Sequence, residues 1–224
     1  MINVTNQLKT ESLLNSNYYV TANAVLRDGT TLSLEKEDFY LDGNGIVDSS
    51  DSGDFPIGVA IEKTATLALV NDDDRFSDYN FAGAQFTLFL NLQLSDRLET
   101  IRRGTFIVSK KPATSDEINL TLLDYMSKAE ADYKTNLVFP CSAGEVLEDA
   151  CQQTGIVLGD ATFKNADYQV QKKPENTTFR AVIGMVAALA GGNARIDEND
   201  NLRIITFGDG ADTITLEAVL WYDI

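Results

Sequence analysis

Residues Ile57–Lys111 read IGVAIEKTATLALVNDDDRFSDYNFAGAQFTLFLNLQLSDRLETIRRGTFIVSKK. Three strand-like runs lie in this stretch: Ala60–Val70, Gln85–Gln93 and Thr105–Ser109. In the first, Thr64, Thr66 and Ala68 alternate with Ala65, Leu67 and Leu69, a period of two with one apolar face. Asn71-Asp72-Asp73-Asp74 stops that run, because these residues favour turns and resist pairing. Phe86, Leu88 and Leu90 are spaced to share a face, with Thr87 and Phe89 opposite. Gly104 bounds the third run. The stretch predicts a β-meander at the centre of a β-rich domain.

To the N-terminal side, Val4–Ser16 is short and polar, with Leu8, Leu13 and Leu14 as its apolar anchors. Alternation from Tyr18 to Leu26, the turn signal Asp28-Gly29 and the run Thr30–Leu34 predict a hairpin over Tyr18–Leu34. Asp38–Pro56 is a long turn-rich segment carrying Gly43, Gly45 and Gly53. Loops of that length in a compact domain are usually functional or mobile. Its aspartates invite a calcium reading, but an EF-hand needs Gly at its sixth position and Glu at its twelfth. Counted from Asp42, those positions hold Val47 and Gly53, so solvated turns are expected instead. Asp72–Asp74 are likewise read as facing water.

To the C-terminal side, Glu117–Asp124 reads as a strand with Ile118, Leu120 and Leu122 on one face. The character of the chain changes at Tyr133. Ser142 with Glu145 forms a capping box for a helix running to about Thr154, ended by Gly155. Asp160–Gln171 is expected to be extended and irregular. Thr178 is the N-cap of a second, nearly all-apolar helix, Phe179–Ala190, which Gly191-Gly192 terminates. Gly184 inside it lowers helix propensity by about 1 kcal/mol. That loss predicts a close approach of another backbone. Ala194–Asp197 and Leu202–Phe207 flank a hairpin turn, Glu198–Asn201. A last strand is expected over Thr213–Trp221. The apolar ending Leu220–Ile224 suggests a chain cut in mid-strand, with more protein to follow.

The composition narrows the function. The chain has 224 residues, 44% of them hydrophobic, enough for one large domain or two small ones. Acidic residues number 34 against 18 Lys plus Arg, and a formal charge of −16 disfavours nucleic acid and anionic membranes. No basic start leads into an apolar run, and the apolar helix ending at Ala190 is far short of a bilayer span. Histidine is absent, which removes the commonest acid–base residue near neutral pH and the commonest metal ligand. Cys141 and Cys151 are read as part of one helical segment, three turns apart and unable to bridge. Neither has a histidine partner. No GxSxG, P-loop, dinucleotide glycine pattern or HExxH occurs. Carboxylate pairs are possible, but a glycosidase also needs a cleft lined with aromatics. The chain has one tryptophan, and Tyr18, Tyr19, Phe39 and Tyr40 read more simply as cross-strand pairs. No catalytic, cofactor-binding or metal-binding residue is therefore expected.

Several short motifs, taken in order, resemble the N-terminal part of the baseplate hub and tail-tip proteins of tailed bacteriophages and prophages. They are Val25–Thr30, Phe55–Ala60, Asn71-Asp72-Asp73-Asp74-Arg75-Phe76-Ser77, Gly83-Ala84, Arg103–Val108, and Ala190–Asp197 with Leu202-Arg203-Ile204. In the third, the family typically has Asn-x-Asp-Gly-Arg-Phe-Ser, so Asp74 stands where a Gly is usual. The resemblance covers about residues 20–210. It implies an α+β, mainly β fold: a tail-tube-like β-barrel with an inserted two-helix α+β domain. On that basis 1–132 would form the barrel-like domain, 133–207 the insert, and 208–224 would return to the barrel or lead onward. It further implies a structural protein of the virion tail, made in a bacterial cytoplasm and joining the tail tube to the distal tip. Such a protein would form a trimeric ring when full length. Its partners would be tail-tube or distal-tail proteins, and DNA would pass through the lumen without specific binding. The alternatives are a carbohydrate- or receptor-binding tail module, with the Asp38–Pro56 loop as its rim, and a component of a cell-wall hydrolase.

Overall fold

The structure, a computed structural model, describes residues 4–11, 18–47, 57–110, 112–113 and 115–206. The expected strand Thr213–Trp221, the ending Leu220–Ile224, Leu13 and Leu14, and the 48–56 part of the long loop lie outside the described residues.

After a short helix, α1 (Asn6–Glu11), the hairpin forms as read, from β1 (Tyr18–Val25) and β2 (Thr31–Leu34). Gly29 takes φ +88°, and Asp28 accepts a hydrogen bond from the Thr30 N–H, so both residues of the turn signal are used. A 3-10 turn, Lys36–Asp38, leads to β3 (Gly45–Val47), which lies inside the segment expected to be a loop. Next come β4 (Ala60–Ile61), β5 (Thr64–Val70), β6 (Gln85–Gln93), β7 (Leu98–Val108) and β8 (Glu117–Leu123). Two readings of the central stretch are corrected here. Ala60–Val70 is two strands that enter different sheets, not one. The third strand begins at Leu98, since Leu98–Arg102 pairs with β6 despite its charged residues.

The large sheet has seven strands in the order β2-β1-β6-β7-β8-β5-β3, all antiparallel. Its two ends share one hydrophobic core. Ala22, Ala24 and Leu34 from one end cluster with Ala65, Leu67 and Leu69 from the other, around Phe86, Leu88, Phe106, Ile118, Leu120 and Leu122. The sheet is therefore rolled. A short connection shows how far the roll goes. β2 ends at Leu34, yet Phe39 already bridges to Leu69 on β5, and the Tyr40 N–H donates to Ala68 O. Five residues span at most about 17 Å, so the two edges lie close together. Among the described residues no ladder joins β2 to β3, so the sheet they form is an open roll and the expected tail-tube-like barrel is not closed by them.

A second hydrophobic core lies beside the roll. It is built from β9 (Cys141–Ser142), α2 (Ala143–Thr154), β10 (Val157–Leu158), β11 (Gln169–Val170), α3 (Phe179–Ala190), β12 (Gly192–Ile196) and β13 (Asn201–Thr206). Both helices end as the local signals predict. Ser142 and Glu145 complete the capping box, Thr178 caps α3, and Gly155 and Gly191 close the C-termini in the left-handed region. Gly192 is already the first residue of β12. Cys141 lies in β9 ahead of the helix, so the two cysteines do not share a helical segment. Both are buried and free.

This second core also draws on residues before Tyr133. β4 pairs in parallel with β12, giving a small sheet ordered β10-β13-β12-β4. Met126 and Ala129, on a 3-10 turn after β8, are fully buried in the same cluster. The close approach expected at Gly184 is made by the segment entering β4. A Cβ on Gly184 would stand 2.5 Å from the Gly58 carbonyl oxygen.

Candidate functional site

The acidic motif after β5 is a built turn. Asn71 is 1% exposed. Its side-chain amide donates to Ser77 Oγ and Ser115 O, and its Oδ1 accepts from the Phe76 N–H. Arg75 pairs with Asp38 at 2.5 Å and lies over the Phe76 ring. Asp73 accepts from the Arg75 N–H, and Asp74 from Ser77 Oγ. The turn sets Phe76 and Phe81 into the rolled core against Phe86. Asp74 has φ +59°, the left-handed conformation that favours glycine. The departure from Asp-Gly thus keeps the turn and places a strained side chain in it.

The described part of the Asp38–Pro56 rim offers aliphatic rather than aromatic contact. Leu41 is 93% exposed and Val47 56% exposed, whereas Tyr40 bonds back to Asp116 O. Asn44 holds this segment to β5, its Oδ1 accepting from the Ala68 N–H and its Nδ2 donating to Tyr40 O. Among the described residues, β2 and β3 are the two ends of the large sheet, each paired on one side.

The cysteines are poorly suited to nucleophilic chemistry. Burial pushes the Cys151 thiol up to about 12, and burial followed by Glu145 and Asp149 raises that of Cys141. Both stay protonated near neutral pH. A depression of about 330 Å3 lies where α3 meets Gly58–Ala60. Arg180 at its rim donates to Ala60 O and pairs with Glu62 and Glu130, so its charge is already engaged within the chain.

The densest polar cluster joins the two cores. The alternation that points Leu69, Leu67 and Ala65 inward on β5 continues to Lys63, 5% exposed. On β8 the alternation of Ile118, Leu120 and Leu122 continues to Asp124, 1% exposed. The ladder pairs Thr64 with Leu123, and one step on the Asp124 N–H donates to Lys63 O at 3.0 Å. A carboxyl and an ammonium thus close one mouth of the roll. The turn between β12 and β13 docks on β7 beside it. Asp200 accepts from the Thr105 N–H, Thr105 Oγ1 and Arg102 Nη2, and Arg102 also donates to Glu198 O. Thr105 directly follows Gly104, at φ +112°, where the ladder with β6 has a β-bulge opposite Leu88/Phe89. None of these residues was read from the sequence as part of a polar cluster. The signal for Lys63 and Asp124 was present as a charge on the apolar side of each alternation.

No family model matches the chain, and no curated protein matches its sequence. Among solved structures, the fold is similar to that of the 43 kDa tail protein of prophage MuSo2 from Shewanella oneidensis. The match covers 87% of this chain at 13% identity, with a TM-score of 0.51. The chain spans 57% of the length of that tail protein. A chain of the PdpA-VgrG complex matches 73% of this one at 14% identity with a TM-score of 0.42, over 30% of its own length. The fold is thus similar to that of the prophage tail protein, mainly β with a large antiparallel sheet and a few helices. No helix among the described residues is long and apolar enough to cross a membrane.

Proposed function

We propose that this chain is a structural component of a phage or prophage tail, a hub-type subunit between the tail tube and the distal tip. The observation that carries the reading is the likeness of fold to a prophage tail protein over 87% of the chain. In this reading the rolled sheet serves as the tube-like domain. The sides of β2 and β3 that carry no ladder among the described residues take up strands or edges of neighbouring subunits, which relieves an edge that a lone sheet must otherwise protect. One repeated heterologous contact closes a ring of three. Acidic side chains turned to the lumen repel the passing DNA. The protein does no chemistry, a role that suits its protonated thiols and internally paired Arg180.

The test is light scattering together with co-purification against tail-tube and distal-tail proteins, on this chain and on a version carrying the next part of its reading frame. Ring formation by the longer protein and capture of a tail partner are expected. A protein that stays monomeric at high concentration and binds neither partner removes the hub assignment. Zymography on peptidoglycan is expected to show no clearing, and clearing would overturn the non-catalytic part of the reading.

A further inference from the structure

The mouth of the roll holds a group the structural role does not require. Asp124 uses one carboxylate oxygen to accept from the Met126 N–H and cap the 3-10 turn after β8. Its other oxygen, Oδ2, is buried with no hydrogen bond. A buried ionised carboxylate in that state is costly, whereas the neutral acid is tolerated. Lys63 faces it from the opposite strand. The Lys63 ammonium lies 5.7 Å from the Phe106 ring centre. It also lies 3.7 Å from the point a Gly104 Cβ would occupy, with Asp200 Oδ1 3.4 Å from that same point. Lys63 thus stands between Asp124 on the sheet and Asp200 on the turn of the second core. Glu62 is the other charged group acting on Asp124 from the connector before β5. Arg102 from β7 donates to Asp200 Oδ2 and to the Glu198 carbonyl on the turn. On the 3-10 turn, Lys128 and Tyr125 face Asp200.

We propose that Asp124 is a proton-controlled clamp on the joint between the two cores. As the neutral acid it leaves the Lys63 ammonium to the Asp200 side and the turn stays seated. Loss of its proton draws Lys63 toward the sheet, charges a buried site and favours unseating of the turn.

Burial pushes the Asp124 carboxyl up to about 7 from an ordinary 3.8, against the lowering effects of the Lys63 backbone N–H and ammonium charge. The sign follows from which form holds the proton. Between those two values the closed joint holds a proton that the opened joint, with Asp124 in water, has lost. Opening is therefore favoured as pH rises, by roughly tenfold per pH unit from about pH 5 to about pH 7, and levels off above.

The experiment is hydrogen exchange, corrected for the intrinsic pH dependence of exchange, on the wild-type chain and on Asp124→Asn. The amide keeps the cap but does not titrate. Wild-type protection at Thr105 and across Asp197–Asn201 is expected to fall between pH 5 and pH 7. Asp124→Asn is expected to hold its protection constant over that range. Asp200→Asn separates the clamp from the joint: it is expected to lower protection at every pH while keeping the slope. A wild-type slope that persists in Asp124→Asn, or a flat wild-type profile, overturns the proposal.

Discussion

The two cores of this chain are held together in different ways. The rolled sheet is a ladder structure. β6 pairs with β1 over Gln85–Leu92 on one side and with β7 over Gln85–Gln93 on the other, and its inner face carries Phe86 and Leu88. The second core has short ladders, with β4, β9, β10 and β11 two residues each. It relies on helix packing, and at Gly58 and Gly184 on backbone meeting backbone. A ladder fixes its partners through regular hydrogen bonds and tolerates variation in side chains on its open face. A close-packed helix contact fixes its partners through shape, and a single added carbon is felt. The contrast teaches that the first core should be most sensitive to loss of volume and the second to its gain.

The largest expected effect tests the first half of that statement. Phe106 is fully buried at the centre of the roll, and Phe106→Ala should remove about 4 kcal/mol. Denaturant unfolding followed by probes in both cores measures it. If the cores unfold separately, only the transition reporting the sheet moves. If both move together, the joint through Arg102, Thr105 and Asp200 makes them one cooperative unit, and the comparison becomes one of packing style alone.

Next comes Gly184→Leu, which places side-chain atoms where the Gly58 carbonyl stands. Overpacking against backbone should reduce stability by about 3 kcal/mol, even though leucine is the better helix former. An unchanged unfolding midpoint would show that the contact is loose and would weaken the contrast drawn here. A smaller change separates local from tertiary support in the second core. Ser142→Ala removes the hydroxyl that accepts from the Glu145 N–H, and should lower stability by about 1 kcal/mol in the same assay.

The smallest effect concerns the turn that bounds the sheet. Asp74→Gly and Asp74→Ala both lose the bond to Ser77, so their difference isolates the left-handed backbone. The glycine variant should be the more stable of the two by roughly 1 kcal/mol or less, because alanine keeps the steric penalty and glycine pays mainly in unfolded-chain entropy. Equal thermal midpoints would mean that the turn relaxes to another conformation.

Local chemistry was legible wherever the deciding residues are neighbours in sequence. Period-two runs marked β1, β5, β6 and β8. Asp28-Gly29 marked the hairpin, and Ser142, Glu145, Gly155, Thr178 and Gly191 marked the ends of both helices. Each signal works through contacts a few residues long, so the chain around it is enough. Gly184 was legible in part: a glycine in an apolar helix signals a close neighbour but does not name it. Asn71 was hidden, because its neighbours read as a solvated acidic turn while its own amide bonds to Ser115 O, 44 residues away.

What the tertiary structure decided are the pairings between distant segments. Ala60-Ile61 looks continuous with Thr64–Val70, yet it crosses to β12, because its ladder partner near Ala194 is supplied by a remote hairpin. The open roll rests on the bridge from Phe39 to Leu69, and the joint rests on Asp200 reaching Thr105. Lys63 and Asp124 are single charges at the ends of apolar alternations. Only the register of β5 against β8 sets them side by side, and only the folded chain around them takes the pair out of water. Alternation along a strand is a property of that strand; a partner across the sheet, and the dielectric around it, belong to the folded chain as a whole.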